Sequence, residues 1–182
     1  MGEDHLVVSW LHSAAASDDS TVETVTRIIN DAYATAEAGL VRVGRPRTTA
    51  EEVRLAIGDG QVVVARANER VVGTVQTRSL VDQTAWFGVL ATAPSAAGRG
   101  IASALVLHVE AGALSVGCRR MQLEILAPRS PHPHTTWLSK WYASLGYEEI
   151  SRSDVAEFDP AIVDDFEVAC DVVVCQKWLG DG

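Results

Sequence analysis

A glycine-containing turn is the segment whose residue types best suit chemistry. It spans Pro94 to Ala102 and reads PSAAGRGIA, after an apolar run and before a helical pattern. Its small residues allow a ligand to approach the backbone closely, and the first amides of a helix have no partners within that helix. With the positive end of the helix dipole they suit a pyrophosphate, and Arg99 adds charge at the rim. The turn is therefore predicted to bind an anion.

Three kinds of phosphate site use a turn of this type. A Walker loop requires Gly-Lys-Ser/Thr, and no lysine occurs in the turn. A dinucleotide fold requires a longer glycine fingerprint near a first strand, whereas this turn lies in the middle of the chain. The third kind is a coenzyme A site.

Two motifs give the chain a resemblance to the GNAT superfamily of N-acetyltransferases. The family's coenzyme A signature is Gln/Arg-x-x-Gly-x-Gly/Ala, and its glycines fall here on Gly98 and Gly100, although Ser95 replaces the opening residue. A second segment, WYASLGY from Trp141 to Tyr147, is similar to the family's aromatic-Tyr-x-x-Leu-Gly-Phe/Tyr and follows in the expected order. The resemblance covers about 62–147 and implies an acyltransferase of class EC 2.3.1.-.

The resemblance implies acetyl-CoA as the cosubstrate. In the family, exposed main-chain groups of the fourth strand bind the pantetheine arm, and the glycine turn binds the phosphates. Thr135 stands where the family commonly has asparagine. The cofactor-binding residues implied in this way are Leu90, Ala91, Thr92, Ala97, Gly98, Arg99, Gly100, Ile101, Ala102 and Thr135.

Tyr142 and Glu124 are the candidate catalytic residues. Tyr142 occupies the position of the family's general acid, and a phenol has a suitable proton. The alternative is an aromatic residue that fills the core. Glu124 alternates with apolar neighbours and so points away from the core side of its strand, toward a cleft or solvent. It matches a fifth-strand base of some relatives, whereas the fourth-strand glutamate of others is replaced by Trp86.

The acceptor pocket has weaker candidates. His132 and His134 lie in a Pro-rich loop between a strand and a helix, and histidine titrates near neutral pH, so both are candidates for a base or a substrate contact. The alternative is that they are simply exposed. Four aromatic residues are candidates for lining the pocket, with core packing expected for at least two: Trp86, Phe87, Trp137 and Trp141.

Hydrophobic periodicity places the motifs on strands and helices. Residues 5–11, 61–67, 71–79, 85–91, 120–126 and 169–178 read as strands, and 20–37, 49–57, 101–114 and 135–145 as helices. This order suggests a mixed sheet flanked by helices. With the resemblance, we expect an α/β (α+β) GNAT fold over residues 1–182. It would be one domain with a mostly antiparallel sheet of about seven strands, about four helices and a splayed coenzyme A cleft.

Composition restricts the partners. A net charge of −9 disfavours nucleic acid and favours a cationic or amine acceptor. The three cysteines match no metal spacing, Cys170 and Cys175 are not expected to form a disulfide, and no metal is predicted. The N-terminus lacks a signal peptide and no apolar run reaches about 18 residues, so we expect a cytoplasmic protein without membrane contact.

Two functions remain open at this stage. The first is an acetyl-CoA-dependent N-acetyltransferase that acts by direct transfer in a ternary complex, on a small molecule or on a protein amine. The second is an acetyl-CoA-binding sensory or regulatory module without catalysis. The absence of the signature's opening Gln or Arg, and of the fourth-strand glutamate, favours this second function. Family analogy favours a homodimer.

Overall fold

A seven-stranded sheet organises the chain, whose computed structural model describes residues 5–42 and 44–180. The acidic residues 1–4, on which the absence of a signal peptide was predicted, lie outside the described residues. The strands are β1 (Leu6–Trp10), β2 (Val62–Ala67), β3 (Arg70–Ser79), β4 (Thr84–Thr92), β5 (Arg120–Pro128), β6 (Glu148–Asp154) and β7 (Cys170–Trp178). The helices are α1 (Asp19–Ala36), α2 (Ala50–Gly58), α3 (Ile101–Ser115), α4 (Pro133–Ser144) and the short α5 (Val155–Phe158).

The strand order is β1-β2-β3-β4-β5-β7-β6. Neighbouring strands are antiparallel except for β4 and β5, which are parallel and pair only over Thr84–Trp86 with Arg120–Gln122. A mixed, mostly antiparallel sheet of seven strands with flanking helices confirms the predicted GNAT fold. The short β4–β5 pairing matters most for function, because the two strands separate beyond it.

Helices cover both faces of the sheet and create two hydrophobic cores. The core between α1, α2 and the sheet includes Val25, Ile29 and Ile57, which are buried almost completely. The core on the opposite face lies beneath α3 and α4 and contains Phe87 and Leu105. At α1 the apolar stripe of the sequence is the buried face, which is why periodicity located this helix.

Local chemistry fixes the helix starts. Asp18 accepts a hydrogen bond from the amide of Ser20 at 3.2 Å and caps α1, so the cap lies two residues before Ser20, the capping residue that the sequence predicts. Thr49 and Glu52 form a reciprocal capping box at α2. Between β2 and β3, Asn68 and Glu69 both adopt positive φ angles, as a two-residue hairpin turn requires.

The edge strand β6 was not recognised in the sequence pattern. Its residues, EEISRSD, are mainly polar, and the first five are exposed. It pairs only with β7, and an edge strand with little burial carries no alternation of apolar and polar residues. The prediction of seven strands came from the family resemblance and not from this segment.

The described cysteines are all free and buried, including Cys170 and Cys175 on β7. Burial raises the pKa of both thiols, which favours the unreactive protonated form. Within 5–42 and 44–180, no helix combines the length and apolar character that a bilayer crossing requires. The same residues contain no cluster of His, Cys, Asp and Glu that would hold a metal ion.

Candidate active site

The separation of β4 and β5 leaves an opening in the middle of the sheet. The parallel pairing ends at Trp86 and Gln122, and each strand continues for six more residues without contacting the other through hydrogen bonds. At about 3.3 Å per residue, the opening is about 20 Å long. The strand edges lining it carry main-chain groups that no sheet neighbour satisfies, so an extended ligand can take the place of a strand.

The edge of β4 that faces the opening includes Leu90 and Thr92. Main-chain groups alternate between the two edges of a strand, and the amide of Ala93 donates to the carbonyl of Val72 on the β3 side, at 2.9 Å. The main-chain groups of Thr92 and Leu90 therefore point toward β5, whereas those of Ala91 point toward β3.

A β-bulge interrupts this strand at Val89. The register between β3 and β4 shifts between Thr74 and Gln76, and Val89 has a φ of 51°. A positive φ is unfavourable for a β-branched residue, at a cost of about 1–2 kcal/mol. Backbone strain of this kind concentrates at functional sites, where it redirects main-chain groups.

The predicted phosphate turn lies at the end of the opening, between β4 and α3. Gly98 and Gly100 adopt φ angles of 75° and 76°, a conformation that other residues rarely adopt. Ala97, Gly98 and Gly100 are exposed, as is Arg99. Among the described residues, no hydrogen bond reaches the amides of Gly98, Gly100, Ile101 or Ala102. These donors at the N-terminus of a 15-residue helix suit a pyrophosphate.

Close packing holds this helix start in place. Ile101 is 3% exposed, and its Cγ2 atom would lie only 2.7 Å from a Cβ atom built on Gly73 of β3. The absence of a side chain at Gly73 therefore lets α3 approach the sheet closely. The position of the phosphate turn depends on this contact.

Thr135 lies in the first turn of α4, next to the far end of β5. His132 caps this helix, and its Nδ1 atom accepts a hydrogen bond from the amide of Thr135 at 3.3 Å. A cleft of about 270 Å³ borders this turn. The ring centres of His134 and Trp137 are 5.8 Å apart. Burial is the main cause that lowers the pKa of His134. His132 thus caps the helix that carries Tyr142.

Tyr142 lies in an aromatic cluster of α4, β4 and the turn after α4. Its ring centroid is 4.8 Å from that of Trp141, 5.8 Å from that of Tyr147 and 6.0 Å from that of Phe87. Burial raises the pKa of the Tyr142 phenol, and charge on Tyr33 or Cys175 would raise it further. No described residue forms a hydrogen bond with the hydroxyl. A phenol that keeps its proton and has no protein acceptor is suited to donate that proton to a ligand.

Glu124 is half-buried on the sheet face that carries α1, next to the opening. One carboxylate oxygen accepts a hydrogen bond from the indole nitrogen of Trp86, and the other accepts one from the amide of Gln122 at 3.0 Å. Gln176 in turn donates to Gln122 at 3.0 Å. Trp86, which stands where some relatives have a fourth-strand glutamate, therefore fixes the position of the Glu124 carboxylate on β5.

The aromatic candidates divide between the core and the two sides of the sheet. Phe87 is fully buried, and Trp137 stacks on Trp141 at 5.9 Å on the surface of α4. Of the four candidates, Trp86 is the one beside Glu124, and the guanidinium of Arg78 lies 4.7 Å from the centre of its ring. Trp86 is thus the aromatic residue that the structure brings to the candidate acceptor side.

Three residues lie together near the end of α1, a grouping that the sequence pattern did not predict: Tyr33, Glu37 and Arg47. The Arg47 guanidinium carbon lies 4.9 Å from the centre of the Tyr33 ring. Burial raises the pKa of the Glu37 carboxyl, and the charge of Arg47 offsets part of this effect. The Tyr33 pKa is also raised mainly by burial. The periodicity that predicted α1 counted Tyr33 as a core residue and placed Glu37 only at the helix end.

Comparison with known proteins agrees with this geometry. The sequence profile described as the acetyltransferase (GNAT) family matches residues 25–132. No curated protein matches the sequence significantly. Among solved structures, an N-acetyltransferase from Staphylococcus aureus Mu50 is 19% identical with a TM-score of 0.67, covering 97% of this chain and 99% of that one.

Two further structures were solved with a coenzyme. The PaiA N-acetyltransferase of Thermoplasma acidophilum, in complex with coenzyme A, is 14% identical with a TM-score of 0.70, covering 96% of this chain and 99% of that one. YncA of Salmonella typhimurium, with its cofactor acetyl-CoA, is 16% identical with a TM-score of 0.68, covering 98% of this chain and 96% of that one. At these identities the structures demonstrate a shared fold.

The chain belongs to the acetyltransferase (GNAT) family. It is a GNAT-type N-acetyltransferase, an enzyme of class EC 2.3.1.-. The profile covers β2 to β5 and α3, which carry the opening and the phosphate turn.

Proposed function

We propose that residues 1–182 form one N-acetyltransferase domain that binds acetyl-CoA in the β4–β5 opening and transfers the acetyl group directly to an amine. The observation that carries the proposal is the alignment of two sets of main-chain donors. The unpaired edge of β4 at Leu90 and Thr92 leads to the amides of Gly98, Gly100, Ile101 and Ala102, which form no hydrogen bond with the described residues. A ligand with an extended amide-bearing arm and a pyrophosphate at its end matches both sets.

Each cofactor residue has a role in this arrangement. The main-chain groups of Leu90 and Thr92 pair with the pantetheine arm, and those of Ala91 pair with β3 and so keep β4 in the sheet. Thr135, at the start of α4, borders the opposite wall of the opening. The pyrophosphate binds the turn residues already predicted: Ala97, Gly98, Arg99, Gly100, Ile101 and Ala102. Ser95, which replaces the family's Gln or Arg, is exposed and does not block the turn.

The acceptor must lose a proton before it can attack. An alkylamine has a pKa near 10.4, so forming the free amine at pH 7 costs roughly 4–5 kcal/mol. Glu124, the base that the sequence pattern predicts, lies on the α1 face of the sheet, and its two hydrogen bonds fix the carboxylate there. A fixed anion beside an aromatic ring attracts and orients an ammonium group, and the Glu124 carboxylate then accepts the proton that the amine loses.

Two groups stabilise the transfer itself. Negative charge develops on the acetyl oxygen as the amine attacks, and main-chain amides at the Val89 bulge and Leu90 supply hydrogen bonds to it. The phenol of Tyr142 donates its proton to the sulfur of coenzyme A as the carbon–sulfur bond breaks. Neither step forms a covalent bond with the enzyme, which agrees with the burial of the three cysteines.

The acceptor is an amine that approaches from the α1 face. The half-buried carboxylate of Glu124 lies on this face, and the net charge of −9 favours a cationic acceptor for the chain as a whole. Screening small amines, amino acids and peptides with free N-termini or lysines would identify the class. Sedimentation of the same samples tests the homodimer that family analogy favours, since a dimer should sediment with twice the monomer mass.

A pair of glycine variants tests the coenzyme site. Gly100→Ala and Gly117→Ala introduce the same methyl group at φ angles of 76° and 86°, and a Cβ atom at either position meets no atom within 4 Å. Each should cost about 1–2 kcal/mol of backbone strain. Only Gly100 lies at the phosphate turn, so only Gly100→Ala should weaken coenzyme A binding measured by calorimetry.

Turnover separates the enzyme from the sensory module. The expected result is release of free coenzyme A by the wild type with at least one amine of the panel. Tight coenzyme binding without turnover on any amine would favour the module. Absence of binding, together with no thermal stabilisation at saturating coenzyme A, would refute both functions.

A further inference from the structure

A row of side chains crosses the sheet at the point where β4 and β5 begin to separate. Arg78 of β3 lies directly opposite Trp86 of β4, which in turn lies directly opposite Gln122 of β5. Directly opposite residues of neighbouring strands share one face of a sheet. Glu124 follows Gln122 by two residues, so it lies on the same face, further into the opening. This face therefore carries a cation on the β3 side of the opening and an anion on the β5 side.

The indole of Trp86 connects the two charged groups. A Cβ atom built on Gly88 would overlap its benzene ring, so the indole lies along β4 toward the opening. Its N–H group donates to the carboxylate of Glu124 across the gap between β4 and β5. The guanidinium carbon of Arg78 lies 4.7 Å from the centre of the Trp86 ring. The three side chains thus form continuous contacts from β3 to β5.

The guanidinium of Arg78 keeps its hydrogen-bond donors available. The ring attracts the positive charge, and this attraction does not use the N–H groups at the edge of the guanidinium. Arg78 is exposed, and within 5–42 and 44–180 it takes part in no ion pair or hydrogen bond. A guanidinium held in this way suits a carboxylate, which it can bind through two parallel hydrogen bonds.

The charge of the whole chain makes a local cation necessary for such a ligand. The net charge of −9 repels a carboxylate, and the carboxylate of Glu124 adds to this repulsion on the acceptor side. Several other arginines of the described chain are already paired with carboxylates of the protein: Arg45, Arg54, Arg129 and Arg152. Arg78 instead supplies its positive charge to the surface beside Trp86.

The span between the two charges fits a small zwitterion. The guanidinium lies over the Trp86 ring and the carboxylate lies beside the indole nitrogen, so their centres are roughly 7 Å apart. Charge-assisted hydrogen bonds of about 2.8 Å at each end leave room for an ammonium and a carboxylate group with one to three carbons between them. A free amino acid has this arrangement, whereas a polyamine, a protein lysine and a peptide N-terminus have no carboxylate in that place.

We propose that the acceptor is a free amino acid, whose ammonium group binds Glu124 and whose carboxylate binds Arg78. The indole of Trp86 lies between the two and sets their separation. Arg78 is then a specificity-determining residue, and it takes no part in the bonds that form and break. This inference rests on the proposed acetyl transfer to an amine, and it selects one class among the amines that this function leaves open.

The test measures release of coenzyme A with the twenty proteinogenic amino acids as acceptors. The best of them is then compared with its primary amide and with the amine that lacks the carboxyl group. Arg78→Gln should lower kcat/KM for the amino acid by about 10–100-fold, mainly through KM, because it removes charge-assisted hydrogen bonds. The values for the amide and the decarboxylated amine should change little. Taking the ratio of wild type to variant for each acceptor cancels the differences in amine pKa.

Two further variants sharpen the comparison. Arg120→Gln is the matched control, because Arg120 is also exposed and its guanidinium carbon lies 5.7 Å from the ring centre of a different tryptophan, Trp178. It should keep the wild-type kcat/KM for every acceptor. Arg78→Glu reverses the charge and should shift the preference from the amino acid toward 1,3-diaminopropane, whose second ammonium group the new carboxylate can bind.

The outcomes separate this inference from the function on which it rests. An effect of Arg78→Gln that is the same for the amino acid and its amide refutes the inference alone. So does an unchanged preference in Arg78→Glu, or a wild type that acetylates other amines but none of the twenty amino acids. A wild type that acetylates no amine refutes the proposed function and this inference with it.

Discussion

Replacing Tyr142 by phenylalanine removes one hydroxyl group and leaves the rest of the aromatic cluster unchanged. No described residue forms a hydrogen bond with this hydroxyl, and Tyr142 is only 7% exposed. Removing a polar group that has no protein partner costs little stability. We therefore expect the melting temperature of Tyr142→Phe to stay within about 2 °C of wild type.

The expected effect is on the rate. Loss of a general acid typically lowers kcat by about 10²–10⁴-fold. The leaving group here is an alkyl thiol, for which the cysteine pKa of about 8.5 is the nearest model, and such a thiolate departs fairly well without a proton. We therefore expect the lower end, about 10²-fold, which corresponds to about 2.7 kcal/mol of activation free energy.

Release of coenzyme A can be followed with a chromogenic thiol reagent, since the protein's own cysteines are buried. Tyr147→Phe is the matched control, because the Tyr147 hydroxyl lies in the same cluster but donates to Glu110 at 2.7 Å. This variant should lose about 1.5–3 kcal/mol of stability and keep its kcat. The assignment of Tyr142 as the acid is wrong if Tyr142→Phe keeps the wild-type kcat at every pH tested.

Two further substitutions test the packing around the site. Glu110→Ala leaves Lys177 without the carboxylate that its ammonium group contacts at 2.8 Å. The free energy of unfolding should fall by about 3 kcal/mol. A melting temperature less than 2 °C below wild type would contradict the role of this pair in joining α3 to β7. Gly88→Ala places a Cβ atom 2.2 Å from the ring of Trp86. The displaced indole can no longer hold Glu124, so the KM for the amine should rise while the affinity for coenzyme A, measured by calorimetry, stays unchanged. An unchanged amine KM would show that Trp86 does not position Glu124.

The fold could be predicted where local sequence and tertiary environment agree. Gly98 and Gly100 were identified because glycine at a strand-to-helix turn has a specific conformational reason, and both adopt positive φ angles. The buried strands were recognised from their β-branched residues. The polar strand Glu148–Asp154 was missed, because an exposed edge strand is specified by pairing with its neighbour and not by its own hydrophobic pattern.

The candidate site was predictable only in part. Family motifs located Tyr142 and Glu124, whose roles in catalysis remain predictions. Nothing in the local sequence indicated that Tyr33, Glu37 and Arg47 lie together. The segment that follows α1 pairs through Val41 with Phe166, which is 125 positions away in sequence. Contacts at this distance leave no periodic signal.

The sequence by itself determined the apolar faces of the helices, the glycine turn and the order of the two family motifs, since each depends on residues within a few positions of one another. The tertiary structure alone decided that β4 and β5 part after three paired residues. That separation exposes the edge of β4 to a ligand. The two paired segments begin at Thr84 and Arg120, 36 positions apart, so no single segment of the chain encodes where their pairing ends.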